Sequence, residues 1–99
     1  MQTLVIRFGI FGKSLGTRQI AGTFRSTIEK KLKEGRDLAF DMDGLRSLSD
    51  AFADECFGKL AVEFGMPFIK QYTTIRNAEP RVSASIQQAF RDAERKQSA

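Results

Sequence analysis

The sequence predicts one α/β domain in which strands and helices alternate. Patterns typical of a strand and then of a helix follow each other three times along the 99 residues, an order that favours parallel strands joined by right-handed crossovers. Hydrophobic residues make up 41% of the chain, which has only 8 Gly and 2 Pro, and this favours a folded domain over a disordered one. A chain of this length has room for one hydrophobic core, so we expect residues 1–99 to form a single domain.

The first strand and helix lie before residue 36. Residues 4–8 are mostly aliphatic or aromatic and predict a strand, and the glycine-containing residues 9–16 predict a connecting loop. Thr17 is suited to cap a helix, and Gly35 to end it in a left-handed conformation. Between them the apolar positions are spaced by close to four residues, as on one face of a helix: Ile20, Ala21, Phe24, Ile28 and Leu32.

The second strand and helix occupy the middle of the chain. Residues 38–42 predict a strand, and Asp41 and Asp43 at its end are expected to cap loop N–H groups. Ser47 or Ser49 is expected to open a helix. Its apolar face ends before Gly65 and contains Ala53, Cys56, Phe57, Leu60 and Phe64.

The last third of the chain predicts one more strand and one more helix. Residues 68–75 predict the strand, and Pro80 is suited to the first turn of the helix. The tail after Arg95, residues 96–99, is expected to fray. The apolar face of this helix contains Val82, Ile86, Ala89, Phe90 and Ala93.

Composition and charge exclude several function classes. The chain has no His and a single Cys, which excludes Ser-His and Cys-His nucleophiles, His- or Cys-rich zinc sites and a disulfide within one chain. We expect Cys56 to be an inert buried thiol, and we predict no catalytic activity, no cofactor and no metal site. No apolar run approaches the roughly 18–20 residues of a membrane span, and the first residues lack the features of a signal peptide, so we expect a cytoplasmic protein.

The net charge of +4 is unevenly distributed. Residues 1–36 carry +6, residues 37–63 carry −5 and residues 64–99 carry +3. The basic first third leaves open a nucleic-acid-binding domain, whereas the acidic middle opposes one.

Residues 38–55 carry a recognisable pattern, in which an apolar strand ends in Asp41 and is followed by a turn with Gly44 and a Ser-rich helix start. This pattern resembles the STAS domain, named for sulfate transporters and anti-sigma factor antagonists. The closer resemblance is to the bacterial STAS-like domain of unknown function, for which the run Ser-Asp-Ala-Phe-Ala-Asp-Glu at residues 49–55 is typical. The resemblance implies a STAS-like α/β fold, with a small mixed sheet of about four strands and three or more helices packed mainly on one side.

The resemblance also implies a regulatory function. Anti-sigma factor antagonists bind a partner with the histidine-kinase-like ATPase fold through the start of this helix, and phosphorylation of a Ser there releases the complex, because the added charge disrupts the interface. Counted from Asp41 and Gly44, that Ser falls at Ala51, which cannot be phosphorylated. Ser49, two residues earlier, either caps the helix or is a phosphorylated switch out of register.

We therefore predict a non-enzymatic regulatory protein–protein interaction module, whose partner is a protein such as a histidine-kinase-like ATPase or an anti-sigma-type regulator. The predicted partner-binding residues are Ser49, Asp50, Ala51, Phe52, Asp54 and Glu55. Phe52 lies off the apolar face and either packs against a neighbouring loop or is an exposed anchor among acidic residues that orient the partner. Nucleic-acid binding by the basic first third and a phosphorylation switch at Ser49 are the alternatives.

Overall fold

The computed structural model describes residues 3–98 and contains alternating strands and helices. The strands are β1 (Leu4–Arg7), β2 (Ser14–Leu15), β3 (Leu38–Asp41), β4 (Ser47–Leu48) and β5 (Thr73–Arg76). The helices are α1 (Arg18–Lys33), α2 (Asp50–Ala53), α3 (Lys59–Phe64), α4 (Met66–Tyr72) and α5 (Pro80–Ser98), with a 3-10 turn at Gly9–Phe11 and a π turn at Asp54–Gly58. Within residues 3–98, none of these helices combines the length and hydrophobicity that a bilayer span requires.

The main sheet consists of three parallel strands in the order β1-β3-β5. Phe40 in the central strand lies between Ile6 and Ile75 of the outer strands. Residues 38–40 are buried, whereas half-buried and exposed side chains alternate along both outer strands. Since alternate side chains of a strand point to opposite faces, this alternation indicates that the helices cover mainly one face of the sheet.

The parallel pairing that the order of elements favours is confirmed, whereas the sheet that the resemblance implies is not. Instead of one mixed sheet of about four strands, β2 and β4 form a separate two-stranded sheet, and the pairing is parallel in both sheets. The 3-10 turn carries the chain away from the main sheet after β1. Its first residue, Gly9, lies so close to the segment after β3 that a β-carbon would be 2.0 Å from the Asp43 carbonyl oxygen. The sequence did not reveal β2 and β4, because two residues are too few for a periodic pattern.

Helix α1 has both of its predicted ends. The Thr17 hydroxyl oxygen accepts a hydrogen bond from the Ile20 N–H at 3.3 Å, and Gly35 after the helix has a φ of +80°, a conformation that glycine adopts without strain. The buried face is the one that the spacing predicts, except that Ile20 remains 41% exposed.

The segment from residue 66 to 76 corrects the prediction of a strand at residues 68–75. It forms helix α4, and only Thr73–Arg76 is a strand. Helical spacing within α4 brings the rings of Phe68 and Tyr72 together, with centroids 4.6 Å apart. Phe64, the last residue of α3, stacks on Phe68 from the other side of Gly65 at 5.1 Å. The aromatic residues that suggested a strand therefore stabilise a helix through neighbours four residues apart.

Helix α5 starts at Pro80, as predicted, and its predicted apolar face is buried. It continues to Ser98, three residues beyond Arg95, after which the helix was expected to fray. Residue 99 and the side chains after Lys96 lie outside the described part of the chain.

The centre of the core is a cluster of phenylalanine rings. Phe8 stacks on Phe24 with centroids 4.3 Å apart and contacts Phe40 and Phe57 at 5.8 and 5.5 Å. These rings come from the residue after β1, from α1, from β3 and from the π turn, so the cluster ties the sheet to the helices.

Candidate interaction surface

The start of α2, where the sequence places the partner-binding residues, is held in place by Ser49. Its hydroxyl oxygen accepts a hydrogen bond from the Phe52 N–H at 3.0 Å, and its hydroxyl donates to the Gly16 carbonyl at 2.8 Å. The Ser49 N–H also donates to the Leu15 carbonyl at 3.0 Å. The predicted capping role of Ser49 is therefore confirmed, and the same side chain attaches the helix start to the chain that follows β2.

Phe52 is not an exposed anchor. The side chain is 0% exposed, and its ring makes edge contacts with Phe24 and Phe8 at centroid distances of 5.9 and 6.4 Å. The α-helical periodicity that placed Phe52 off the apolar face does not continue, because a π turn follows at Asp54–Gly58. Its i→i+5 hydrogen bonding changes which side chains share a face, and Phe52 lies with Cys56 and Phe57 in the core.

Glu55 is occupied by contacts within the domain. Its side chain is only 13% exposed and forms ion pairs with Lys59 at 3.0 Å, Arg25 at 3.1 Å and Arg18 at 3.4 Å. The Arg25 Nε also donates to the Glu55 backbone carbonyl at 2.9 Å. The hydrogen bond from Lys59, reinforced by those from the two arginines, holds the pKa of the Glu55 carboxyl below its usual value. Glu55 thus joins α1 to the π turn.

Asp50, Ala51 and Asp54 remain accessible at the start of the helical segment. Asp50 is exposed, and its carboxylate has no hydrogen-bond or ion-pair partner within residues 3–98. Ala51 is half-buried. Asp54 is 38% exposed and pairs with Arg18 at 3.2 Å and with Lys96 at 3.8 Å. Of the predicted acidic residues, Asp50 is the one whose charge is uncompensated.

A small cleft of about 90 Å³ separates this helix start from α5. Asp50 and Asp54 line one side and Asp92 of α5 lines the other. Asp92 accepts a hydrogen bond from Gln88 at 2.9 Å and pairs with Arg95. We term Asp50, Ala51, Asp54 and Asp92 the acidic surface. Sequence reasoning missed Asp92, because no local pattern relates α5 to a helix some 40 residues earlier.

Ion pairs compensate much of the charge in the basic first third. Arg18 and Arg25 contact the acidic middle of the chain through Asp54 and Glu55. Lys33 pairs with Glu63 at 3.4 Å. A signal for this network exists in the sequence, since Arg18 and Arg25 are seven residues apart and lie on one face of a helix.

The remaining candidate residues have structural roles. Asp41 accepts hydrogen bonds from the Asp43 N–H at 3.0 Å and from the Asn77 amide at 3.1 Å. The Asp43 bond is the main reason that the pKa of the Asp41 carboxyl is lowered, so its predicted capping role is confirmed. Cys56 is 0% exposed, and burial raises the pKa of its thiol. Within residues 3–98, no group of three or more His, Cys, Asp or Glu residues is placed to hold a metal ion.

Comparison with protein families identifies the family of this domain. A family model described as a STAS-like domain of unknown function matches residues 21–83, from the first turn of α1 to the first turn of α5. The matched region includes the phenylalanine cluster apart from Phe8, and the whole start of α2. Comparisons with curated proteins and with solved structures gave no significant match.

Proposed function

The chain belongs to the family of STAS-like domains of unknown function, and on this premise we propose that it is a non-enzymatic module that regulates a partner protein by binding it. The partner contacts the acidic surface at the start of α2. The observation that carries the proposal is Asp50, an exposed carboxylate with no partner within the described residues, at the edge of a cleft lined by two further carboxylates.

Hydrogen bonds and a buried side chain attach the backbone of this surface to the rest of the domain. Ser49 connects the start of α2 to Gly16, and Phe52 inserts the same turn into the core. A surface whose conformation is already fixed loses little conformational entropy on binding, which increases affinity for a given contact area. This attachment supports a docking role for Asp50 and Ala51.

The uncompensated charge of Asp50 favours a basic side chain on the partner, whereas Asp54 and Asp92 are already in ion pairs within the domain. Complementary charges speed the encounter and select the orientation of two proteins. By resemblance to anti-sigma factor antagonists, the partner is a histidine-kinase-like ATPase or an anti-sigma-type regulator. Because Ala51 occupies the position of the phosphorylated Ser, binding at this surface is not released by phosphorylation of residue 51.

The two alternatives receive less support. A phosphate on Ser49 would replace a hydroxyl that makes two hydrogen bonds, and it would add negative charge beside Asp50. Nucleic-acid binding needs free basic side chains that replace the counterions of the phosphate groups. Three basic side chains of the first third, those of Arg18, Arg25 and Lys33, are already in ion pairs within the domain.

Site-specific photo-cross-linking in cells of the source organism tests the proposal. A benzophenone amino acid replaces Ala51 in one variant and the exposed Ser26 of α1 in a control. We expect a protein cross-link from position 51 that is absent from position 26, and we expect Asp50→Arg to reduce its yield about tenfold. Glu63→Arg reverses an acidic residue outside the acidic surface and should leave the yield unchanged. No protein cross-link at position 51, or an equal yield in the Asp50 and Glu63 variants, would contradict the proposal.

A further inference from the structure

A second surface lies on the other side of α1, along the outer edge of β1. Five large hydrophobic side chains are at least 40% exposed within the described residues, and four of them line one groove of about 470 Å³. These four are Val5 at 40%, Ile10 at 72%, Phe11 at 64% and Ile20 at 41% exposure. The groove is bounded by β1, by the 3-10 turn and by α1. We term it the edge groove; a concentration of exposed apolar groups of this kind is typical of a binding surface.

The backbone along the edge groove is open for strand pairing. Strand β1 is at one edge of the main sheet and pairs only with β3. The Leu4 N–H donates to the carbonyl of Asp37, just before β3, at 2.9 Å, and the Phe8 N–H donates to the carbonyl of Asp41 in β3 at 3.0 Å. Because the direction of these groups alternates along a strand, the N–H and C=O groups of Val5 and Arg7 point away from the sheet. No strand lies beside them in the described part of the chain.

The charges around the edge groove select its occupant. Arg7 lines the groove, and no acidic residue does, although Arg7 also lines a neighbouring cleft with Asp41 and Asp43. On α1 the groove-facing row of Ile20, Thr23 and Thr27 continues by helical spacing to the exposed Lys30. Two acidic residues belong to this part of the chain, Glu29 within α1 and Glu34 directly after it. Both are already in ion pairs. A second copy of this domain would bring two such basic surfaces together, whereas an acidic segment would complement them.

We propose that the edge groove binds an extended segment of a partner protein, which adds a strand to the free edge of β1. The segment has aliphatic side chains at alternate positions, which contact Ile10, Phe11 and Ile20, and acidic residues at its ends. At about 3.3 Å per residue, the four residues of β1 match a segment of about four to five residues. In this mode backbone hydrogen bonds supply affinity, and the side-chain contacts supply specificity. The inference is independent of the acidic surface.

A peptide library displayed on phage tests this inference with the purified domain. Random nine-residue peptides are selected on the immobilised protein, and the affinities of the selected peptides are measured by fluorescence anisotropy. We expect selected sequences with aliphatic residues at every second position and with Asp or Glu near the ends. Selection of peptides with apolar residues three and four apart, which is the spacing of a helix, would overturn the proposed strand pairing, and so would a failure to select any peptide above a blank surface.

Matched variants then locate the binding. Phe11→Ala and Ile10→Ser should each weaken binding about 30-fold, the loss expected for a hot-spot side chain. Val62→Ala removes a similarly exposed apolar group on α3, outside the groove, and should leave affinity unchanged. Val5→Pro should abolish binding while the domain remains folded, because the N–H that it removes points outward and proline is tolerated at sheet edges.

Sedimentation analysis tests whether the edge groove instead binds a second copy of the domain. We expect the wild-type domain to be monomeric in this assay. A wild-type dimer that dissociates in Phe11→Ala would assign the edge groove to a second copy of the chain and overturn the peptide proposal. Affinities that are equal in the Phe11, Ile10 and Val62 variants would overturn it as well. None of these results depends on the cross-linking at position 51.

Discussion

Truncation of Phe52 distinguishes a core residue from a surface anchor. The ring is 0% exposed and makes edge contacts with Phe8 and Phe24. Replacement of a buried Phe by Ala removes the apolar contacts and leaves a cavity, at a cost of about 3–5 kcal/mol. The total stability of a domain of this size is about 5–15 kcal/mol, so we expect Phe52→Ala to lose a large part of it.

Urea and thermal denaturation followed by circular dichroism measure this loss. For a domain of about 100 residues, 1 kcal/mol corresponds to about 4–8 °C in Tm, so Tm should fall by at least about 12 °C. The matched control is Phe11→Ala, the same substitution at a ring that is 64% exposed and has an edge contact with Phe24 at 5.2 Å. The control should lose no more than about 1.5 kcal/mol.

Because Phe52→Ala is expected to lose a large part of the stability, a milder substitution is needed as well for the case in which that variant does not fold. The milder Phe52→Leu should then give a folded protein that is less stable by about 1–3 kcal/mol. Losses in Phe52→Ala no larger than those in Phe11→Ala would refute the placement of Phe52 in the core. They would restore the hypothesis that its ring is exposed at the partner surface.

Two further predictions concern Glu55 and Cys56. The pKa of Glu55 is lowered in the folded state, so its stabilising effect is present above the ordinary Glu pKa of about 4.3 and is lost as the pH falls through the lowered value. Below about pH 5, the free energy of unfolding should therefore decrease less steeply with falling pH in Glu55→Gln than in the wild-type protein. Glu63→Gln, which removes one exposed ion pair, serves as the control, and equal slopes in the two variants would contradict the role assigned to Glu55. Cys56 is fully buried with a raised thiol pKa, so a thiol reagent should label it only at the rate at which the domain unfolds. Rapid labelling of the native protein would show that the thiol is accessible.

Local features of the sequence predicted most of the elements and their ends. Thr17 and Ser49 cap helices because a side-chain oxygen accepts a hydrogen bond from an N–H three residues ahead. Gly35 ends α1 because glycine tolerates positive φ. The error at residues 68–75 has a local cause as well, because aromatic residues fit both a strand and a helix in which rings four residues apart are in contact, as Phe68 and Tyr72 are in α4.

The candidate site was predicted in part. The start of α2 is where the sequence places it, and Asp50 and Ala51 are accessible there. Phe52 and Glu55, however, are directed into the domain. The π turn that turns Phe52 into the core has no strong sequence signature, and the arginines that pair with Glu55 lie 30 and 37 residues earlier in the chain.

The α/β class, the helix caps, most buried faces and the resemblance to STAS-like domains could be read from the amino-acid sequence alone. These depend on backbone preferences and on side-chain spacing within a few residues, which each segment carries with it. Three features could be seen only in the folded domain: the strands divide into two parallel sheets, Asp92 faces Asp50 across a cleft, and β1 presents a free edge beside Ile10 and Phe11. These features depend on which distant segments pack together, and that choice is made by the whole core rather than by any one segment.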